Sequence, residues 1–290
     1  MDHSSAPAPV SAAAVTGIGP RVVTALVLIA LVVVTLWFGS TQLLAGIFGI
    51  FLLLAAHEWA GLVGLGRVGR LSYAGATALL SAGLALMLMR GLDVRLAAWV
   101  AVSWWGMACA VIVAAQQGRN LLPSSLAVLL VIGWLILLPC YAALLSLHAA
   151  SHSLLLGLMV LIWSADTAAF FAGRAWGVRR LASRVSPGKT WAGAIAALAA
   201  GALIGVGIMV GLDPAAGSVG SRAGAVALSG SVVVAASIVG DLFESLMKRR
   251  RGIKDSGALL PGHGGILDRI DSLLAAAPVY ALGFAPLVSP

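Results

Sequence analysis

The feature that most limits what this chain can fold into is a series of nine apolar segments divided by short polar stretches. They run Val22–Phe38, Leu43–Ala60, Ala74–Met89, Ala97–Ala115, Leu126–Leu147, Leu154–Ala172, Trp191–Val210, Ala223–Leu246 and Leu273–Val288. A helix needs about 20 residues to cross a bilayer's hydrocarbon, and most of these runs approach that length; the third and ninth are short. Charged residues make up 10% of the chain and hydrophobic ones 61%, whereas a soluble domain carries about 25% charged. So few charges cannot cover a water-facing surface, and the excess apolar side chains must face lipid. Lipid offers the backbone no partners, so each run is expected to be a helix. The fold class read from this is an all-α polytopic integral membrane protein of about nine transmembrane helices.

The charges order these spans. If the N-terminus is cytoplasmic, the tail and the loops after spans two, four, six and eight hold Arg21, Arg67, Arg70, Arg119, Arg174, Arg179, Arg180, Arg184, Lys189, Lys248, Arg249, Arg250, Arg251, Lys254 and Arg269. That is 15 of the 18 basic residues, leaving Arg90, Arg95 and Arg222 outside. This positive-inside bias places both long polar loops, 173–190 and 247–271, in the cytoplasm. It also accounts for the net charge of +8 as headgroup attraction, so no nucleic-acid partner is expected. Residues 1–20 read as a disordered tail without the basic start and apolar core of a cleaved signal. Residues 21–150 read as an N-terminal helical part and 151–290 as the C-terminal catalytic part. Cys109 and Cys140 lie in apolar runs and read as small packed residues. The small residues of spans seven and eight, among them Gly193, Ala197 and Gly201, read as close helix packing.

Seven of the ten acids lie in or beside the cytoplasmic ends of spans: Glu58, Asp166, Asp241, Glu244, Asp255, Asp268 and Asp271. An acid in a membrane is costly and marks a functional site unless an arginine pairs with it. Asp241, Glu244 and Ser245 are spaced to share a helix face, as are Asp268 and Asp271; the latter two can also cap span nine. Carboxylates converging from two helices suit Mg²⁺, which takes a few of them plus phosphate oxygens. Between them, KRRRGIKDSGALLPGHGGILDRID mixes bases, acids, His263 and glycines. Lys248, Arg249, Lys254 and Arg269 can neutralise a polyphosphate, and Gly262, Gly264 and Gly265 allow backbone amides to approach one. Bases for phosphate beside acids for Mg²⁺ is what phosphoryl-type transfer needs. The SPGKTWAG loop, Ser186 to Gly193, resembles a P-loop end, but position 183 is serine and no strand is expected before it, so a P-loop is rejected. His57, His148 and His152 read as isolated packing residues.

Ser245–Asp271 resembles the signature of phosphatidate cytidylyltransferases (CDP-diacylglycerol synthases). The matching residues are Ser245, Met247, Lys248, Arg249, Lys254, Asp255, Gly257, Leu260, Pro261, His263, Gly264, Gly265, Ile266, Asp268, Arg269, Ile270 and Asp271. Asp241 in GDLFES, Ser186, Pro187, Lys189, Thr190 and Trp191, and Asp166 extend the resemblance upstream. It is specific over roughly 164–272 and loose elsewhere, where Glu58 in HEW is the one further echo. Ala192 stands where the family usually has glutamate.

The resemblance implies that CTP and phosphatidate give CDP-diacylglycerol and pyrophosphate among membrane lipids; the charge bias puts this on the cytoplasmic side, and the short single chain with 15 Arg against 3 Lys points to a bacterial inner membrane. It implies Asp241 and Asp268 as principal Mg²⁺ ligands with Asp271 in support, and K⁺ as a second cation. Lys248, Arg249, Lys254 and Arg269 would hold CTP phosphates, with Asp255 beside them; His263, Gly264 and Gly265 would bind phosphate or orient the α-phosphoryl group. Ser186, Lys189 and Thr190 would contact nucleotide or lipid headgroup, with Asp166 deep in the cavity. A homodimer fits the family. The competing readings are a CTP-dependent enzyme acting on another lipid phosphate, a transporter using the intramembrane acids, and a catalytically dead homologue.

Overall fold

The structure, a computed structural model, describes residues 33–91, 93, 95–212, 219–257 and 264–288. Helical residues 33–38, α1, are the described end of the first apolar segment; the rest of it and the tail 1–20 lie outside the described residues. Then follow α2 (Thr41–Leu62), α3 (Arg67–Met89), α4 (Arg95–Gln116), α5 (Leu126–Ala150) and α6 (His152–Trp176). A hairpin of β1 (Arg180–Ala182) and β2 (Ser186–Thr190) leads into α7 (Trp191–Leu212), α8 (Val219–Arg251) and α9 (Leu267–Val279). A π-turn, Tyr280–Phe284, and α10 (Ala285–Val288) continue α9. Eight helices among the described residues are long and apolar enough to cross a membrane, counting Leu267–Val288 as one. This is a multi-pass, all-α membrane architecture.

Three expectations are corrected. The third span is not short, because α3 begins at Arg67 and runs 23 residues. The cytoplasmic stretch does not leave its helix at position 247: α8 continues to Arg251 over 33 residues. Lysine and arginine are good helix formers and their charge suits the negative C-terminal end. The segment 173–190 is not featureless; β1 and β2 pair antiparallel, Arg180 with Thr190 and Ala182 with Ser186. A strand, β1, does precede SPGKT, against expectation, but SPGKT is itself a strand and position 183 is serine, so the rejection of a P-loop stands on those grounds.

The small residues of α7 and α8 do bring backbones together. A Cβ on Gly201 would lie 2.7 Å from Val234 Cγ2 and 2.8 Å from the Gly230 carbonyl oxygen. Such contact replaces the hydrophobic drive that lipid removes. On another face of α8, Phe243 stacks on Trp59 of α2 (centroids 6.3 Å) and meets Trp104 and Trp105 of α4 edge-on at 5.7 and 5.9 Å. The N-terminal helices therefore fix the rotation of the helix that carries Asp241 and Glu244.

His148 is packed as expected but not isolated: it bonds Thr41 Oγ1 at 3.0 Å and the Leu36 carbonyl at 3.1 Å, and its ring lies 4.4 Å from that of His152. Cys140 is buried, whereas Cys109 faces outward on α4.

Candidate active site

Two cavities share Asp166 and Asp241 in their walls. One, about 280 Å³, is lined by Asp166, Asp241, Asp268, Arg269 and Asp271 with Trp163 and Met159. The other, about 550 Å³, lies among α6, α7 and α8, where Arg174, Lys189 and Thr190 join apolar Phe170, Val234 and Ile238. Aspartates from three helices thus converge. Gly240 makes that possible: any Cβ there would collide with the Asp271 carbonyl oxygen. The α8 and α9 backbones touch at the level of Asp241 and Asp271, which brings two costly acids to one place.

Lysines partly neutralise the group. Lys189 Nζ lies 2.5 Å from Asp241 Oδ2. Lys248 Nζ lies 2.6 Å from Asp268 Oδ1 and 3.3 Å from Glu244 Oε2. Ser245 Oγ donates to Asp241 Oδ1 at 3.3 Å, so the shared helix face read from spacing is real. Asp268 Oδ2 accepts the amides of Ser256 at 3.0 Å and Gly265 at 2.8 Å. Asp268 therefore anchors the loop as well as lining the cavity.

The remaining candidates divide. Lys189 is aimed into the site by β2. Ser186 pairs with Ala182 at the start of that strand. Thr190 is buried, and its Oγ1 accepts the Gly193 amide at 3.1 Å, the geometry of an N-cap on α7. Thr190→Val is expected to cost about 1 kcal/mol by loss of this cap, read as a lowered unfolding midpoint in detergent. Arg249 Nε donates to the Val185 carbonyl at 3.4 Å, holding the hairpin turn to α8. Lys254 and Asp255 are exposed. Gly264 has φ +81°, and a Cβ there would lie 2.7 Å from Asp268 Oδ2. His263 lies outside the described residues.

Two residues join the site that no role was given from sequence. Glu244 is 3% exposed, and its carboxylate oxygens make no hydrogen bond beyond the Lys248 ion pair. Its spacing from Asp241 was the signal for it. Glu58, on α2, takes the amides of Ile266 and Leu267 at the start of α9. Glu58, not Asp268 or Asp271, caps that helix.

Among the described residues no three His, Cys, Asp or Glu side chains gather closely enough to hold a metal ion by themselves. Mg²⁺ does not require that, since it commonly takes one or two carboxylates plus phosphate oxygens and water. Asp241 and Asp271, adjacent across the α8–α9 contact, fit this donor set, whereas Asp268, expected with Asp241 as a principal ligand, has its oxygens engaged by Lys248 and the Ser256 and Gly265 amides.

A model of the cytidylyltransferase family matches residues 19–285. The chain is 40% identical over 270 residues to the phosphatidate cytidylyltransferase of Pseudomonas aeruginosa, covering 90% of this chain and 94% of that one. It is 41% identical over 191 residues to the Haemophilus influenzae protein of that name, covering 62% and 65%. The Brucella suis protein, also so named, is 36% identical over 284 residues, covering 93% and 94%. With a match that runs from the first apolar segment through α9 and the π-turn, and takes in every acid of the cavity, this chain belongs to the cytidylyltransferase family.

Proposed function

We infer that this chain transfers the CMP moiety of CTP to phosphatidate, giving CDP-diacylglycerol and pyrophosphate for phospholipid synthesis. The observation that carries this is the convergence of Asp166, Asp241, Asp268 and Asp271 on one cavity with Lys189 and Lys248 against two of them. A phosphatidate oxygen forms a bond to the α-phosphorus of CTP. The bond from that phosphorus to the bridging oxygen breaks, and pyrophosphate leaves with its electron pair. The attacking group is already an anion, so no covalent enzyme intermediate is needed. The obstacle is repulsion between an anion and a polyanion, and positioned positive charge lowers it.

Lys189, Lys248 and Arg269 would neutralise phosphate oxygens, with Lys254 and Arg249 adding positive charge. Asp241 and Asp271, with Asp268 beside them, would hold Mg²⁺, which supplies Lewis-acid stabilisation of the phosphoryl oxygens; K⁺ is the candidate for a second cation. The cavity of about 550 Å³, with apolar walls and Arg174 and Lys189, suits a lipid that enters sideways with its phosphate toward those two bases. The bias of basic residues favours a cytoplasmic N-terminus and a cytoplasmic active site in the inner (plasma) membrane. The small-residue faces of α7 and α8 are used within the chain, so a homodimer would need another surface.

Purified protein in detergent is expected to release pyrophosphate only when CTP, phosphatidate and Mg²⁺ are all present, and chelation by EDTA should reduce release to background. Equal release with a polyprenyl phosphate in place of phosphatidate would overturn the lipid assignment. Release without any lipid would overturn the reaction.

A further inference from the structure

We propose that Glu58 of α2 is a positioning residue for cytidylyl transfer, clamping the start of α9 through the Ile266 and Leu267 amides so that α9 presents Asp268 and Asp271 to the cavity. The proposal rests on the reaction inferred above. Glu58 lies 198 residues or more from each of its partners in sequence, and is 7% exposed. Its Oε1 accepts the Ile266 amide at 3.0 Å and its Oε2 the Leu267 amide at 2.8 Å. Ser256 Oγ lies 3.0 Å from Oε2. The first amides of a helix have no partner within it, and α9 has no side-chain cap of its own at Ile266. A carboxylate is the strongest acceptor for such amides and suits the positive end of the helix.

Asp268 grips the same segment from the cavity side through Ser256 and Gly265. Ser256 Oγ is 3.0 Å from both Glu58 Oε2 and Asp268 Oδ2. One hydroxyl proton serves one carboxylate at a time, so the backbone amides are the permanent ties. Two glycines of the matched stretch make room for the clamp. A Cβ on Gly257 would lie 2.5 Å from Glu58 Oε1, and one on Gly265 would collide with Glu58 Oε2 and Ser256 Oγ. The Gly265 amide is already donated to Asp268, so these positions serve the approach of Glu58 more directly than a phosphate cradle. Asp268 and Asp271 follow Leu267 by one and four residues. A shift at the clamp is carried straight to them.

Glu58→Gln places an amide NH₂ against backbone N–H donors. In the pyrophosphate-release assay its kcat/KM for CTP is expected to fall about 10- to 100-fold, as for residues that orient catalytic groups, with KM for CTP raised and KM for phosphatidate unchanged. A purely structural role would reduce the number of active molecules, lowering kcat with both KM values unchanged, and that result overturns the proposal. Should Glu58→Gln fail to accumulate, the shorter Glu58→Asp is read by the same split.

The contact itself is tested by a cycle with Gly257→Ala. The Glu58→Asp side chain is one methylene shorter and withdraws its carboxylate. The added methyl should therefore lower the detergent unfolding midpoint less in Glu58→Asp than in the unmodified chain. Additive effects overturn the clamp. Because unfolding does not depend on the reaction, an unmodified chain that releases no pyrophosphate counts against the inferred function alone.

Discussion

Asp268→Asn is expected to lower turnover by at least about 10³-fold while its amount in the membrane stays unchanged. Removal of a single preorganised electrostatic contact from an enzyme site costs roughly 10²–10³-fold, and Asp268 has two functions to lose. Its Oδ1 holds Lys248 at 2.6 Å and its Oδ2 holds the Ser256 and Gly265 amides. Asparagine turns one of these oxygens into a donor. Either Lys248 or the loop amides then face an N–H, and the cavity loses a negative charge. Lys248 is left with Glu244 as its acidic partner. Pyrophosphate release in washed membranes, scaled to the amount of protein by immunoblot, measures this; turnover within about tenfold of the unmodified chain would remove Asp268 from the site.

Phe243→Ala is expected to destabilise the protein by about 3–5 kcal/mol, the range for deleting a buried aromatic ring. Phe243 is 1% exposed and touches Trp59, Trp104 and Trp105, three rigid rings that cannot collapse into the space it leaves. Edge-on aromatic pairs add to the loss. Unfolding followed in detergent gives the number, and a loss below about 1 kcal/mol would show that the tryptophans do not depend on this ring. Turnover should fall as well. Asp241 and Glu244 sit within one turn of Phe243, and their direction depends on the rotation of α8.

Hydropathy is enough to read the long helices, because lipid permits little else for an apolar run of that length. The charged stretch near the C-terminus identifies the family, because phosphate and metal chemistry crowds rare residue types together. What stays illegible is pairing between distant residues. Nothing near Glu58 announces that its carboxylate caps α9, since that contact exists only after α2 and α9 pack. The β1–β2 hairpin is hidden because strands of three and five residues with a proline, a glycine and two charges leave almost no periodicity. The helical state of Lys248–Arg251 is hidden because an apolar pattern stops where lipid stops, while a helix can continue into water. Glu244 is visible through its spacing from Asp241, but its burial is not.

The paired lysines carry a consequence for how substrates arrive. Asp166, Asp241, Asp268 and Asp271 line the smaller cavity, with Glu244 close behind, while Lys189, Lys248 and Arg269 supply the positive charge there. Both lysines are already engaged by carboxylates. Both proposed substrates are themselves anions, so each must either draw a lysine from its partner or bring a counter-ion of its own. A polyanion that arrives with a cation leaves the ion pairs intact, which couples nucleotide occupancy to the ionic composition of the surrounding solution.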